Sequence, residues 1–222
     1  MPSEHAPLVR RLGLSRAPDD PTGLHRGTHA GVTVVVDRTG IGTDGARRTT
    51  RRLLDTEPVE HVMVVGIAGG IGATRVGDLV VPEVVVDHAT GREYRASPLG
   101  AHPAAGTIVT SDELLVDPVV IGRLVDDGAI ALDMETAAVA EVCEARGVPW
   151  SAVRVISDLA TDHVDDSIMQ LTNPDGTPNP TAALRYVLTK PWHVPRLAKL
   201  AKGATAAARR AADAAAEALA AR

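Results

Sequence analysis

The sequence predicts an α/β fold around a mixed sheet, and three observations predict it. Short β-branched runs alternate with helix-patterned segments through residues 31–159. The Val-rich run Arg75 to Asp87 is interrupted by Pro82, which implies a bend or an edge position and hence a sheet that is not purely parallel. Glycines and carboxylates collect where strands give way to helices, the end at which open α/β sheets bind ligands. With 222 residues the chain can form one large domain with a sizeable core.

Taken in order, Leu8, Val9, Leu12 and Leu14 mark a short helix, and Ala17 to Gly23 is a turn-rich loop. Gly31 to Asp37 (GVTVVVD) is the first clear strand, followed by a helix from Ala46 to Leu54. Val59 to Gly66 is a second strand that ends in a glycine turn, Gly66 to Gly72 (GIAGGIG). Thr90 to Pro103 reads as a polar loop, Gly106 to Thr110 as a strand, and Pro118 to Asp126 as a helix opened by proline. Ala131 and Leu132 close a further apolar run. Glu135 to Arg146 is helical and stops at Gly147 and Pro149. Trp150 to Ile156 is a buried strand, apolar apart from Ser151 and Arg154, with Ser157 and Asp158 at its carboxyl end. Residues 160–180 are polar and turn-rich, either a lid or a plain connector. Thr181 to Leu188 is helical, and Ala198 to Arg222 is an Ala-rich helix with little to bury, suited to solvent or to a subunit contact.

Composition excludes several classes. The net charge of −5 and the absence of Phe argue against nucleic acid as a partner. Cys143 is the only cysteine, so no disulfide framework exists, and a cytoplasmic, reducing compartment is expected; Cys143 itself reads as a small buried hydrophobe. No apolar run resembles a signal peptide or a membrane span. The eight His follow no metal-ligand spacing, so neither metal nor organic cofactor is expected.

Four features carry chemistry. Gly40-x-Gly42-x-x-Gly45 is formally the dinucleotide fingerprint, which would make the chain an NAD-type Rossmann oxidoreductase; however, the strand ending Met63-Val64-Val65-Gly66 lacks the acid that the fingerprint requires. The run Gly66 to Gly72 exposes backbone groups and leaves room for a flat ligand. Asp158, at the end of a buried strand beside Ser157, is the best general acid, although an Asp there could merely cap a helix. Glu135, at a helix start, can face the same crevice or simply favour the macrodipole. Separately, residues 190–202 combine Trp192, Leu197 and Leu200 with Lys190, Arg196, Lys199 and Lys202. This amphipathic basic segment could lie on a membrane surface or pack as an ordinary helix.

Together GIAGGIG with VGDLVVPE (66–83), LDMETAAVAEVC (132–143) and VRVISDLAT (153–161) resemble the nucleoside phosphorylase superfamily, on the side of the methylthioadenosine/S-adenosylhomocysteine nucleosidases, over roughly residues 30–162. The resemblance implies a three-layer fold with a central mixed β-sheet flanked by helices, a catalytic domain over 1–189 with a helical tail over 190–222, and a homo-oligomer. It implies cleavage of the N-glycosidic bond of a purine nucleoside, with adenine as the base, by water, with phosphate as the alternative co-substrate. In that mapping Asp158 protonates the leaving base beside Ser157, Glu135 holds the ribose hydroxyls, and Met134 packs on the sugar. Ala68 and Gly69 lie by the sugar and the nucleophile, and Leu114 and Leu115 line the base pocket. The family opens with an apolar strand and then a loop whose Glu positions the nucleophile. Here the chain starts where that loop is expected, so either the true start lies upstream or the sheet lacks an inner strand, and Glu4 or His5 would take the loop's place. The glycine turn carries no Arg, which favours water over phosphate. The C-terminal Pro-Trp-x-x-Pro-x-Leu pattern at 191–197 is similar to hopanoid-associated phosphorylases, which implies an adenosyl-lipid substrate. A nucleoside-binding module without activity is the non-enzymatic alternative.

Overall fold

The structure is a computed structural model; it describes residues 2–18, 23–160 and 189–221, with Thr177, Asn179 and Arg185 between them. The expected lid at 160–180 and the helix at Thr181 to Leu188 lie almost wholly outside the described residues.

The described elements are α1 (Pro2–Leu12), β1 (Ser15–Arg16), β2 (His25–His29), β3 (Val32–Val36), α2 (Thr43–Thr56), β4 (Val62–Gly70), β5 (Leu79–Val80), β6 (Val84–Asp87), β7 (Glu93–Arg95), β8 (Thr107–Thr110), α3 (Pro118–Asp126), β9 (Ala129–Asp133), α4 (Thr136–Ala145), β10 (Trp150–Leu159) and α5 (Val194–Ala220). Seven strands form a mixed sheet in the order β5-β10-β4-β9-β8-β6-β7, with helices flanking it. β5 and β6 lie five strand positions apart, about 24 Å in a flat sheet at about 4.8 Å per strand. The four residues from Val80 to Val84 reach at most about 14 Å. The sheet therefore curls, and Pro82, expected to bend this run, sits between its two halves.

Three expectations change. The Val-rich strand β3 belongs to a separate antiparallel sheet, β1-β2-β3, and its partner β2 (HRGTH) is too polar to read as a strand. The loop expected at 90–103 contains β7, which buries Tyr94. The C-terminal helix α5 is not a solvated appendage: eight of its alanines, from Ala207 to Ala218, are buried against β10, β4 and α1. A face of methyl groups reads weakly in sequence, yet it lets a helix approach a sheet closely. The closest approach is at Gly203, where an added Cβ would stand 2.7 Å from the Ser157 carbonyl oxygen. Because that obstacle is backbone, Gly203→Ala should cost about 1–3 kcal/mol, as overpacked sites do. A thermal melt lowered by roughly 2–4 °C per kcal/mol would register it.

Local chemistry sets the other boundaries. Asp117 caps α3 by accepting from the Val119 N–H at 2.8 Å, with Pro118 in the first turn. α4 is buried nearly all round, with Ala137 through Ala140 and Cys143 in the main core and Val142 buried as well, so Cys143 is the inert hydrophobe expected and burial pushes its thiol up to about 12.

Candidate active site

The site forms where the carboxyl ends of β4, β9 and β10 meet. β4 does not stop at Gly66; the glycine run expected as a turn continues the strand to Gly70. Gly66 carries no side chain because an added Cβ would lie 2.5 Å from both Arg154 Nη1 and Glu4 Oε1. Gly69 pairs with Leu132 of β9 on one side and with Asp158 of β10 on the other. One glycine thus stands between the two segments that carry Glu135 and Asp158.

Asp158 lies within β10, not after it. The register slips between Ile156 and Asp158, so Ser157 forms a bulge. The Ser157 hydroxyl hydrogen-bonds Asp158 Oδ1 and lies 3.4 Å from the Ala68 carbonyl oxygen.

Glu135 occupies the N-cap position of α4 but caps nothing. That work falls to Asp133, whose carboxylate accepts from the Thr136 N–H and from the hydroxyls of Thr136 and Thr110, the latter at 2.6 Å. Glu135 instead turns outward. Its Oε1 accepts from the Gly42 N–H at 3.2 Å, and its Oε2 lies 3.4 Å from Arg154 Nη2. Burial, reinforced by Asp133 and Glu4 and opposed by Arg154, pushes its carboxyl up to about 7. Glu135, expected from sequence as a charged clamp, is therefore only partly ionised near neutral pH.

This shift has a stability consequence. A carboxyl with a higher pKa folded than unfolded favours the native state while protonated, and loses that contribution as pH rises from about 4.5 to about 7. Glu135→Gln should therefore gain in melting temperature relative to the parent between pH 5 and pH 8. A difference that stays flat or reverses would refute the shift.

Arg154 anchors the whole arrangement, although the sequence only marked it as the one charge in an apolar strand. It is 3% exposed. Nη2 donates to Asp133 Oδ2 at 2.6 Å and to Thr136 Oγ1 at 2.9 Å, and Nη1 donates to the Ile67 carbonyl at 3.3 Å. Glu4 reaches the same strand from α1, accepting from the Ile67 N–H at 3.0 Å. His5, beside it, packs edge-on against His25 at 4.7 Å, and its Nε2 is buried with no hydrogen-bond partner. Burial, with His25 and Arg38 nearby, lowers its pKa to about 4, so it is neutral at physiological pH. Glu4 thus sits at the strand that carries the glycines, while His5 packs against His25.

A cavity of about 1210 Å³ collects these groups. Its lining includes Glu4, His5, Ala68, Gly69, Leu114, Leu115, Met134, Glu135, Ser157 and Asp158, so every candidate residue borders one space. Leu114 is 45% exposed, at the mouth. The cavity extends from this polar end between β3 and β4, past Leu8, Leu12, Val34, Val36, Met63 and Leu219. No strand lies between β3 and β4 among the described residues.

The dinucleotide reading of the glycine loop does not fit this geometry. β3 lies outside the main sheet, so no βαβ unit surrounds the loop. At the start of α2 the Gly42 N–H faces Glu135, and Thr43 donates its N–H and hydroxyl to Asp112 at 2.7 and 2.6 Å. Carboxylates already occupy the helix end that a pyrophosphate would need. Gly42 has φ +88, and that left-handed conformation aims its N–H at Glu135.

Comparison with known proteins converges on one group. Residues 16–115 and 95–188 match the model of the Phosphorylase superfamily. The 5′-methylthioadenosine/S-adenosylhomocysteine nucleosidase of Tolumonas auensis is 32% identical over 168 residues, covering 62% of this chain and 73% of that protein. Its counterpart from Geobacillus thermodenitrificans is 32% identical over 173 residues, covering 63% and 72%. Among solved structures, the nucleosidase of S. pneumoniae bound to a transition-state inhibitor superposes with a TM-score of 0.74 at 20% identity, covering 100% of this chain and 96% of that one. Futalosine hydrolase of Helicobacter pylori gives 0.74 at 20% identity, covering 99% and 94%.

Proposed function

The chain belongs to the phosphorylase superfamily, and from that premise we propose that it is a nucleosidase that cleaves the N-glycosidic bond of a purine nucleoside, adenine being the base. The observation that carries this reading is that Gly69 pairs with Asp158 on one side and with Leu132, in the segment leading to Glu135, on the other, and that both carboxylates line one cavity with Glu4.

Each group has a task that its setting suits. As the bond from C1′ to the base breaks, the bonding electrons leave with the base, and Asp158 passes its proton to a base ring nitrogen. Ser157 fixes the other carboxyl oxygen and hence the direction of transfer. Glu135 accepts hydrogen bonds from the ribose hydroxyls and holds the ring in place while positive charge develops on it. Met134 and the Ala68–Gly69 strand end border the sugar, and Leu114 and Leu115 the base. Glu4, beside the Ile67 N–H, orients a water and takes its proton as oxygen bonds to C1′.

Water is the nucleophile that the charges favour. Asp133, Glu135 and Glu4 gather about Arg154, whose nitrogens are all directed at protein groups. A phosphate dianion would meet like charge there. The test is base release from adenosine and 5′-methylthioadenosine with and without phosphate. Free sugar at equal rates in both buffers is expected; a sugar phosphate and a strict phosphate requirement would reverse the choice of nucleophile.

The finer identity of the substrate lies in the sugar's 5′ substituent. The apolar arm of the cavity, lined by Leu8, Leu12, Val34, Val36, Met63 and Leu219, supports a lipid-bearing 5′ group, the class implied by the C-terminal likeness to hopanoid-associated phosphorylases. A higher kcat/KM for 5′-alkyl adenosines than for adenosine is the expected result; equal values would remove this refinement and leave the nucleosidase reading standing.

A further inference from the structure

We propose that the segment spanning residues 190–210 docks the protein on an anionic membrane surface. Residues 185–210 hold seven of the chain's 23 Lys and Arg and none of its 28 acidic residues. In a chain of net charge −5 this is a strong local segregation. The structure then sorts the segment into two faces. Ala207, Ala208 and Ala211 turn inward, while Lys199, Lys202, Arg209 and Arg210 are exposed. The acids that follow on α5 are engaged elsewhere: Asp213 pairs with Arg11 at 2.6 Å and Glu217 lies 3.5 Å from His102.

Apolar side chains stand at the tip of this basic face. Trp192 is 69% exposed and Val194 40% exposed at the entry to α5. Val76, 49% exposed, comes within 3.9 Å of the Cβ position at Gly203 on the same helix. Exposed Trp beside Lys is the pairing that suits a bilayer interface. The indole settles at the headgroup level, and each nearby Lys or Arg gains from the negative surface potential. Duplex nucleic acid would use the charges but has no use for the apolar tip. Across the described residues no helix is long and apolar enough to cross a membrane, so the contact is peripheral. The same helix rests on the Ser157 carbonyl at Gly203, which places the docking face beside the Asp158 end of the cavity. The proposal does not depend on the nucleosidase reading, and its test reads binding without turnover.

The experiment is co-sedimentation of the full chain with vesicles of phosphatidylcholine alone or mixed with phosphatidylglycerol. Binding is expected only to the anionic vesicles at about 0.1 M salt, and its loss at about 1 M, where screening acts over about 3 Å. Lys199→Glu with Lys202→Glu should reduce the bound fraction at least about tenfold, and Trp192→Ala should weaken it several-fold. These positions are exposed, so unchanged melting curves will show that the variants fold. No sedimentation with anionic vesicles overturns the proposal. So does equal binding to neutral vesicles, binding by the double variant at the parent level, or capture of duplex DNA without capture of vesicles.

Discussion

Asp158→Asn is expected to lower kcat for base release by about 10²–10⁴-fold, the usual worth of a positioned general acid. Asparagine keeps the size of the side chain and can still accept from Ser157, so β10 and its bulge have no reason to change. What it cannot do is supply a proton to the departing base. Loss should therefore appear in kcat, with KM nearly constant, because the bond to the base is intact in the ground state. A substrate whose leaving group departs without a proton, such as a nitrophenyl riboside releasing nitrophenolate, should recover most of the lost rate. Near-parental rates on a purine nucleoside would refute the role of Asp158; a large fall in melting temperature would instead identify it as structural.

The second large effect belongs to stability. Arg154→Met should destabilise the fold by about 3–5 kcal/mol, the cost of leaving a buried charge without its partner. Arg154 and Asp133 are 3% and 1% exposed, and Asp133 has no other guanidinium among its hydrogen-bond partners in the described residues. Adding Asp133→Asn to Arg154→Met should restore part of the loss, since it removes the uncompensated carboxylate. The two single effects must then be non-additive. Arg154 also opposes the upward shift of Glu135, so in any folded Arg154 variant the pH dependence of kcat/KM should move to higher pH. A single variant with an unchanged melt would show that the pair contributes nothing net.

The two carboxylates were legible in the sequence because each follows an apolar run that ends at a sheet's carboxyl edge, and the resemblance gave them roles. Arg154 and Asp133 were not assigned. Arg154 was visible as a charge within the strand 150–156, but sequence could not say which carboxylate would face it across β4 and β9. Asp133 did carry a signal: an Asp three residues before Thr136 is placed to cap a helix, but Glu135, nearer the helix start, offers the same signal. The glycine run was read as a turn because glycine in sequence does not distinguish a bend from a strand crowded by Arg154 and Glu4. The packing of the tail is not legible because alanine counts little by hydropathy, yet eight alanines on one face build an interface with the sheet and α1. The small polar strand β2 has no hydrophobic pattern in sequence; pairing with β1 and β3 defines it.

The central claim is that the groups about Gly69 break a purine N-glycosidic bond. Chromatography of 5′-methylthioadenosine incubated with the full chain in phosphate-free buffer near pH 8, where Glu135 is ionised, tests it most directly. The account predicts adenine and the free thio-sugar in equal amounts from the parent, and neither above background from Asp158→Asn. Intact nucleoside in both samples, with phosphate added or withheld, would contradict it.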